Sequence, residues 1–315
     1  MVLKPNIAGH SANTHATVST DSRLWQVAGT ELAYDTPLLV AILNRTPDSF
    51  SDGAQLDDLH TAIDVAAQMI RDGADILDVG GESTRPGAGE VSVGEELERV
   101  GPLIEALAAR FDTPVSVDTR RAKVAAVALE SGACIVNDVS GFGDPGMGAV
   151  VRDYRAGWVL MHMPHAVGAM GWSEPVMAMP AGVDEGREVV AAHLRTVVER
   201  AEQAGVSRAQ IAVDPGVGFG KSARQNLGFL RHFGPIANLG LPVFMGPSRK
   251  SFIGQVTGQP AAQRLMGTAA AVTACVLAGA AMLRVHDVAQ MRGVIDVATA
   301  IRRADGADAN FGVKT

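Results

Sequence analysis

Asp118, Asn137 and Asp214 each close an apolar run, VSVD, IVND and IAVD, and each supplies a short planar group rich in oxygen. Two carboxylates and an amide gathered around one ring could hydrogen-bond the amidine and lactam edges of a flat heterocycle. Arg284 and His286 stand two apart in RVH. On an extended strand that spacing aims both the same way, as a pair able to clamp phosphate oxygens. Asn44 ends LLVAILN and offers a hard oxygen for Mg²⁺, an ion that binds phosphates through few protein ligands. Thr84/Arg85, His162 and Arg249/Lys250 complete the set of polar groups at or just past an apolar run. Each also has a purely structural reading. An Asp there can cap the next helix, and an Asn can satisfy loop backbone. His162, between Met161 and Met163, suits a pocket wall, and Lys221 suits a surface loop. The chemical reading rests on their joint occurrence.

That occurrence follows one plan, clearest in DILDVGGESTRP at 75–86, where an apolar run empties into glycines and small polar residues. The same plan recurs at 38–44, 115–119, 134–141, 158–163, 211–216, 242–248 and 282–287, giving eight candidate strands buried on both faces. Segments of helical period lie between them, at about 57–71, 97–109, 120–130, 147–155, 183–204, 224–237, 261–278 and 288–303. Strand then helix, eight times, predicts a closed parallel (β/α)8 TIM barrel, whose sites lie at the C-terminal ends of its strands. An open doubly wound sheet is the competitor, but no G-x-G-x-x-G follows the first strand. The expected organisation is an N-terminal extension over 1–36, partly ordered near Leu24 and Trp25, a barrel over 37–305 and a polar tail over 306–315. A loop of about 164–181, rich in Met, Gly and Pro, is long enough to expect a functional role.

Composition narrows the function. At 315 residues with 47% hydrophobic and 19% charged residues, the chain can bury a large core. A net charge of −7 excludes a broadly basic nucleic-acid surface, while a few local Arg and Lys still suffice for a small anion. Cys134 and Cys275 sit inside apolar runs, which fits structural thiols rather than a disulfide framework or a zinc site. Neither a secretory signal nor a membrane span is expected, so the cytoplasm is the default location.

The order of the motifs adds a resemblance. LNRTPDSFSDGA and DGADILDVGGESTRPGA, followed by SVDT, NDVSG, MHM, DPGVGFGK, GPSRKSFIG and RVHDV, resemble the signature segments of the dihydropteroate synthase family, from about Leu38 to about Ile301. The resemblance implies a barrel that condenses 6-hydroxymethyl-7,8-dihydropterin pyrophosphate with 4-aminobenzoate, giving 7,8-dihydropteroate and pyrophosphate. By the same resemblance Asp118, Asn137, Asp214 and Lys250 hold the pterin. Asn44, Arg284 and His286 hold the pyrophosphate, with Mg²⁺ at Asn44. Phe50, Thr84, Arg85, Pro86, Phe219 and Ser251 surround aminobenzoate, the pocket for which sulfonamides compete. Asp118, Lys250, Arg284 and His286 carry the catalysis, and the assembly is a homodimer. Arg45 stands where the family usually has a small apolar residue. A synthase-like paralogue that binds pterin with weak or no turnover is therefore the alternative. The related folate-binding barrel of corrinoid methyltransferases needs no pyrophosphate clamp, so Arg284, His286 and the STRP loop speak against it.

Overall fold

The computed structural model describes residues 23–44, 59–82, 91–164 and 179–304. Arg45, Phe50, Thr84, Arg85 and Pro86 lie outside these residues.

Eight parallel strands form the barrel: β3 (Leu38–Asn44), β4 (Ile76–Gly80), β5 (Val115–Asp118), β6 (Ile135–Asp138), β7 (Gly157–Met161), β8 (Ile211–Asp214), β9 (Phe244–Met245) and β10 (Met282–Val285). Their order is β8-β7-β6-β5-β4-β3-β10-β9. A parallel bridge between Val213 and Val243, with Val213 N–H donating to Pro242 O at 2.9 Å, joins the two ends. The predicted (β/α)8 barrel is the observed fold.

The helices that cover the strands are α1 (Leu59–Arg71), α2 (Val93–Arg110), α3 (Ala122–Glu130), α4 (Met147–Tyr154), α5 (Val183–Gln203), α6 (Ala223–Arg231), α7 (Ser251–Thr257), α8 (Leu265–Leu277) and α9 (Val288–Arg303). Three differ from the sequence expectation. α2 starts four residues early because Ser92 Oγ accepts the Glu95 N–H at 3.2 Å and caps it there. The helix expected over 224–237 stops at Arg231, and a 3₁₀ segment, Gly234–Leu239, takes over at Gly234-Pro235. The helix expected over 261–278 begins only at Leu265, after a 3₁₀ turn at Ala261–Gln263. Ahead of it lies α7, seven residues long, too short for its period to be read in sequence.

Two further strands precede the barrel. β1 (Leu24–Val27) and β2 (Thr30–Ala33) pair antiparallel across Ala28-Gly29, both at positive φ as a two-residue hairpin turn requires. Trp25 and Val27 are buried with Val40, Ile76, Ile135, Val159, Ala212, Phe244 and Met282. Trp25 Nε1 also donates to Gln210 O at 2.9 Å. Those barrel residues sit at the starts of their strands and face inward, so the hairpin closes the N-terminal end and leaves the other end as the mouth.

Candidate active site

Alternation along the strands decides what faces the barrel axis. Val40, Ile76, Ile135, Val159, Ala212 and Met282 pack in the inner cluster, whereas Leu39, Leu77, Val136, Leu160, Val213 and Leu283 pack against the helices. Counting on by two from the inner set reaches Asn44, Asp78, Gly80, Asn137, Met161, Asp214, Arg284 and His286. The apolar floor thus gives way, one layer up, to polar groups. Asn44, Gly80, Asp118 and Asn137 are successive partners across β3 to β6, so they lie at one level.

Arg284 ties the centre together. Its Nε donates to Asp78 Oδ2 at 2.5 Å and its Nη2 to Asp118 Oδ2 at 2.8 Å. Asn137 Nδ2 donates to the same Asp78 oxygen at 3.1 Å. Burial pushes the Asp118 carboxyl up to about 7; Arg284 opposes the shift, and the like charges of Asp78 and Glu96 reinforce it. Asp214 is pushed up to about 6, again by burial, although its Oδ1 accepts the Gly216 N–H at 2.7 Å. Burial, then Arg284, lowers the Lys250 ammonium to about 8. Burial that disfavours the charged forms of two carboxylates and one ammonium at once suits a ligand carrying donors, acceptors and negative charge.

Lys250, on the loop after β9, reaches this mouth by crossing the loop that follows β8. A Cβ on Gly218, whose φ is +83°, would lie 2.7 Å from Lys250 Cδ, so only glycine lets the lysine stem cross there. The ammonium then sits 3.9 Å from the centroid of the Phe219 ring. Lys221 is not the surface charge its loop position suggested. Its Nζ donates to Gly216 O at 2.9 Å and Phe219 O at 3.1 Å, and meets His162 Nδ1 at 3.1 Å. It therefore pins the loop that carries Phe219. His162 is fully buried beside it, as a wall residue.

At the rim, His286 Nδ1 lies 2.9 Å from Ser248 Oγ, which also accepts the His286 backbone N–H at 3.2 Å. Arg249 turns aside, Nε to Asp287 Oδ2 at 3.0 Å, leaving Lys250 as the member of that pair directed at the site. Asn44 Oδ1 lies over Gly80, where an added Cβ would approach to 2.6 Å, so the glycine makes room for the amide oxygen at the mouth. Ser251 is exposed at the start of α7, next to Lys250.

The structure thus brings Asn44, Asp118, Asn137, Asp214, Lys250, Phe219, Arg284 and His286 to one end of one barrel. Asp78 and Ser248 join the site beyond the residues expected from sequence. Asp78 did leave a signal, a carboxylate in the middle of a run buried on both faces, which demands a partner. Ser248 left none, since its role depends on β10 lying beside its loop.

Comparison with known proteins agrees with this geometry. The family model described as pterin binding enzyme matches residues 40–286. A dihydropteroate synthase of Synechocystis is 43% identical over 267 residues, 84% of this chain and 90% of that protein. A Mycobacterium tuberculosis protein named inactive dihydropteroate synthase 2 is 38% identical over 279 residues, 88% of this chain and 86% of that one. Two solved structures of Xanthomonas albilineans dihydropteroate synthase each cover 89% of this chain. The one with 4-aminobenzoic acid has a TM-score of 0.80 at 40% identity and is covered to 98%. The one with 7,8-dihydropteroate has a TM-score of 0.77 at 37% identity and is covered to 99%. With its strand-end motifs assembled at one mouth, the chain belongs to the family of pterin binding enzymes.

Proposed function

We propose that this enzyme is a dihydropteroate synthase, a transferase that joins 6-hydroxymethyl-7,8-dihydropterin pyrophosphate to 4-aminobenzoate with loss of pyrophosphate. The observation that carries the reading is Arg284, which pairs with Asp118 in the ring-binding set while His286 stands two residues further along the chain at the rim. One mouth can then take a flat ring and a diphosphate side by side.

Asp118, Asn137, Asp214 and Lys250 take the pterin edges, the carboxylates accepting ring N–H groups. Arg284 and His286 take the pyrophosphate. Ser248 Oγ accepts the His286 backbone N–H and lies 2.9 Å from Nδ1; in the assigned tautomer the hydroxyl donates to Nδ1, and the ring proton on Nε2 is the donor to phosphate. As the C–O bond to pyrophosphate breaks, the positive charge on the pterin methylene is spread into a ring lying among Asp118 and Asp214. The aniline nitrogen attacks without prior deprotonation and needs positioning more than activation. Phe219 and Ser251, with Phe50, Thr84, Arg85 and Pro86, are the residues we assign to aminobenzoate and to sulfonamides that mimic it. A covalent pterin-enzyme adduct on the reaction path would contradict this dissociative route.

Mg²⁺ fits the donor set. Asn44 offers a single hard amide oxygen at the mouth. That suits an ion held chiefly by the substrate's phosphates, where it supplies charge neutralisation for the leaving group. Sustained, multiple-turnover pyrophosphate release should require aminobenzoate, and a chelator should suppress it. Release without aminobenzoate at the same rate, or none with both substrates and Mg²⁺, would overturn the reading. The second outcome would favour a paralogue that binds without turnover, the alternative raised by Arg45 and in keeping with the likeness to the inactive mycobacterial protein.

Protonation sets a pH window. Asp118 and Asp214 must be ionised to accept ring N–H groups, and their carboxyls stand at about 7 and about 6 in the ligand-free protein. Affinity for 6-hydroxymethyl-7,8-dihydropterin, which lacks titrating phosphates, should fall by about tenfold per proton and pH unit as the pH drops below these values. It should weaken again above about 8, where Lys250 loses its proton. Calorimetric titration from pH 5 to 9 checks this, and a flat profile contradicts it.

We assign a homodimer on the outer faces of α8 and α9, where Met266 is 75% exposed and Leu277, Val297 and Ile301 are also open. A monomer mass in light scattering would refute it. No helix of the described residues is long and apolar enough to cross a membrane. A cytoplasmic location is our reading, to be checked by cell fractionation.

A further inference from the structure

We infer that Asp78 is a positioning residue which, through a single carboxylate oxygen, fixes both the guanidinium plane of Arg284 and the amide orientation of Asn137. The inference rests on the pterin and pyrophosphate sites proposed above. Asp78 is fully buried in β4, two residues before Gly80, on the inward face and one layer below Asp118. Its Oδ2 takes Arg284 Nε at 2.5 Å and Asn137 Nδ2 at 3.1 Å, and its Oδ1 has no donor among the described residues.

Two consequences follow from the donor geometry. Arg284 spends Nε on Asp78 and Nη2 on Asp118, one edge of the fork shared between two carboxylates. That orients the plane and leaves the Nη1 hydrogens for phosphate oxygens. Asn137, with its Nδ2 held by Asp78, cannot flip without setting Oδ1 against a carboxylate oxygen. Its Oδ1 is thereby kept as an acceptor, and the side chain reads a donor on the pterin edge. Asp78 decides which way the amide is read without touching the ring.

Asp78→Asn keeps the shape and removes both constraints, because an amide can donate or accept. Pterin affinity should fall by about tenfold or more. The acid limb of binding should also move to lower pH by about one unit. Asp118 is faced by Arg284 from β10, Asp78 from β4, Glu96 from α2 and Lys250 from the loop after β9, and the substitution deletes one of its two like-charged neighbours. A merely structural Asp78 would change thermal stability and leave that limb in place. Binding within about threefold of wild type with an unmoved limb overturns the inference. Asp118→Ala, measured alongside, separates the two levels. If it binds pterin normally, the proposed site itself is wrong; if it loses pterin while Asp78→Asn does not, only the role of Asp78 falls. Should Asp78→Asn fail to fold, Asp78→Ser, smaller than the native side chain, is held to the same two criteria.

Discussion

Asp118→Ala should lower kcat/KM for the pterin substrate by about 10³-fold or more, and Lys250→Ala should do the same. The Asp118 change removes a ring acceptor and also strips Arg284 Nη2 of its 2.8 Å partner. Truncating one member of a buried charged pair costs about 2–5 kcal/mol, because the other charge is left behind. The Lys250 change leaves Asp118 and Asp214 without an ammonium that favours their ionised forms. Their carboxyls should climb further, so that at neutral pH each presents a proton where the pterin needs an acceptor. The loss should therefore appear mostly as weakened pterin binding, with the aminobenzoate KM changed less. Steady-state pyrophosphate release together with calorimetric pterin binding makes the split, and near-wild-type values in either variant would show that the ring is held elsewhere.

Arg284→Ala should combine two effects. Asp78 and Asp118 lose their common cation, and stability should drop by about 3–5 kcal/mol, as when a buried pair is broken from one side. For a domain of this size that is a fall in Tm of roughly 10 °C. The pyrophosphate contact is lost as well, so activity should stay absent even at temperatures where the variant is folded. Arg284→Lys tests whether geometry or charge matters. An ammonium keeps the charge but has no planar fork to span Asp78 and Asp118 together, so part of the stability should return and little of the activity. Full recovery of turnover in the Lys variant would contradict a clamp of fixed geometry.

Much of this was legible in the chain itself, for a physical reason. In a parallel barrel every strand is buried on both faces, so its apolar run is continuous and its end is marked by the first polar group. Asn44, Asp118, Asn137, Asp214 and Arg284 each stand at or near such an end, and the barrel carries them to one mouth. What the chain concealed depends on contacts between segments far apart. Lys221 read as a loop charge because its acceptors, the carbonyls of Gly216 and Phe219 and the ring of His162, come together only when the loop folds back on the barrel. The hairpin of β1 and β2 reaches beyond Leu24 and Trp25 to Ala33, and its four-residue strands are too short to show a period. Asp78 was visible as a charge in an apolar run, but its partners, Asn137 and Arg284, are 59 and 206 residues away.

The most direct measurement is a crystal structure with 6-hydroxymethyl-7,8-dihydropterin pyrophosphate bound. The ring edge is expected on Asp118, Asn137 and Asp214, with Lys250 beside it and the diphosphate on Arg284 and His286 near Asn44. A ring bound outside the barrel mouth, or a diphosphate turned away from Arg284, would contradict that placement.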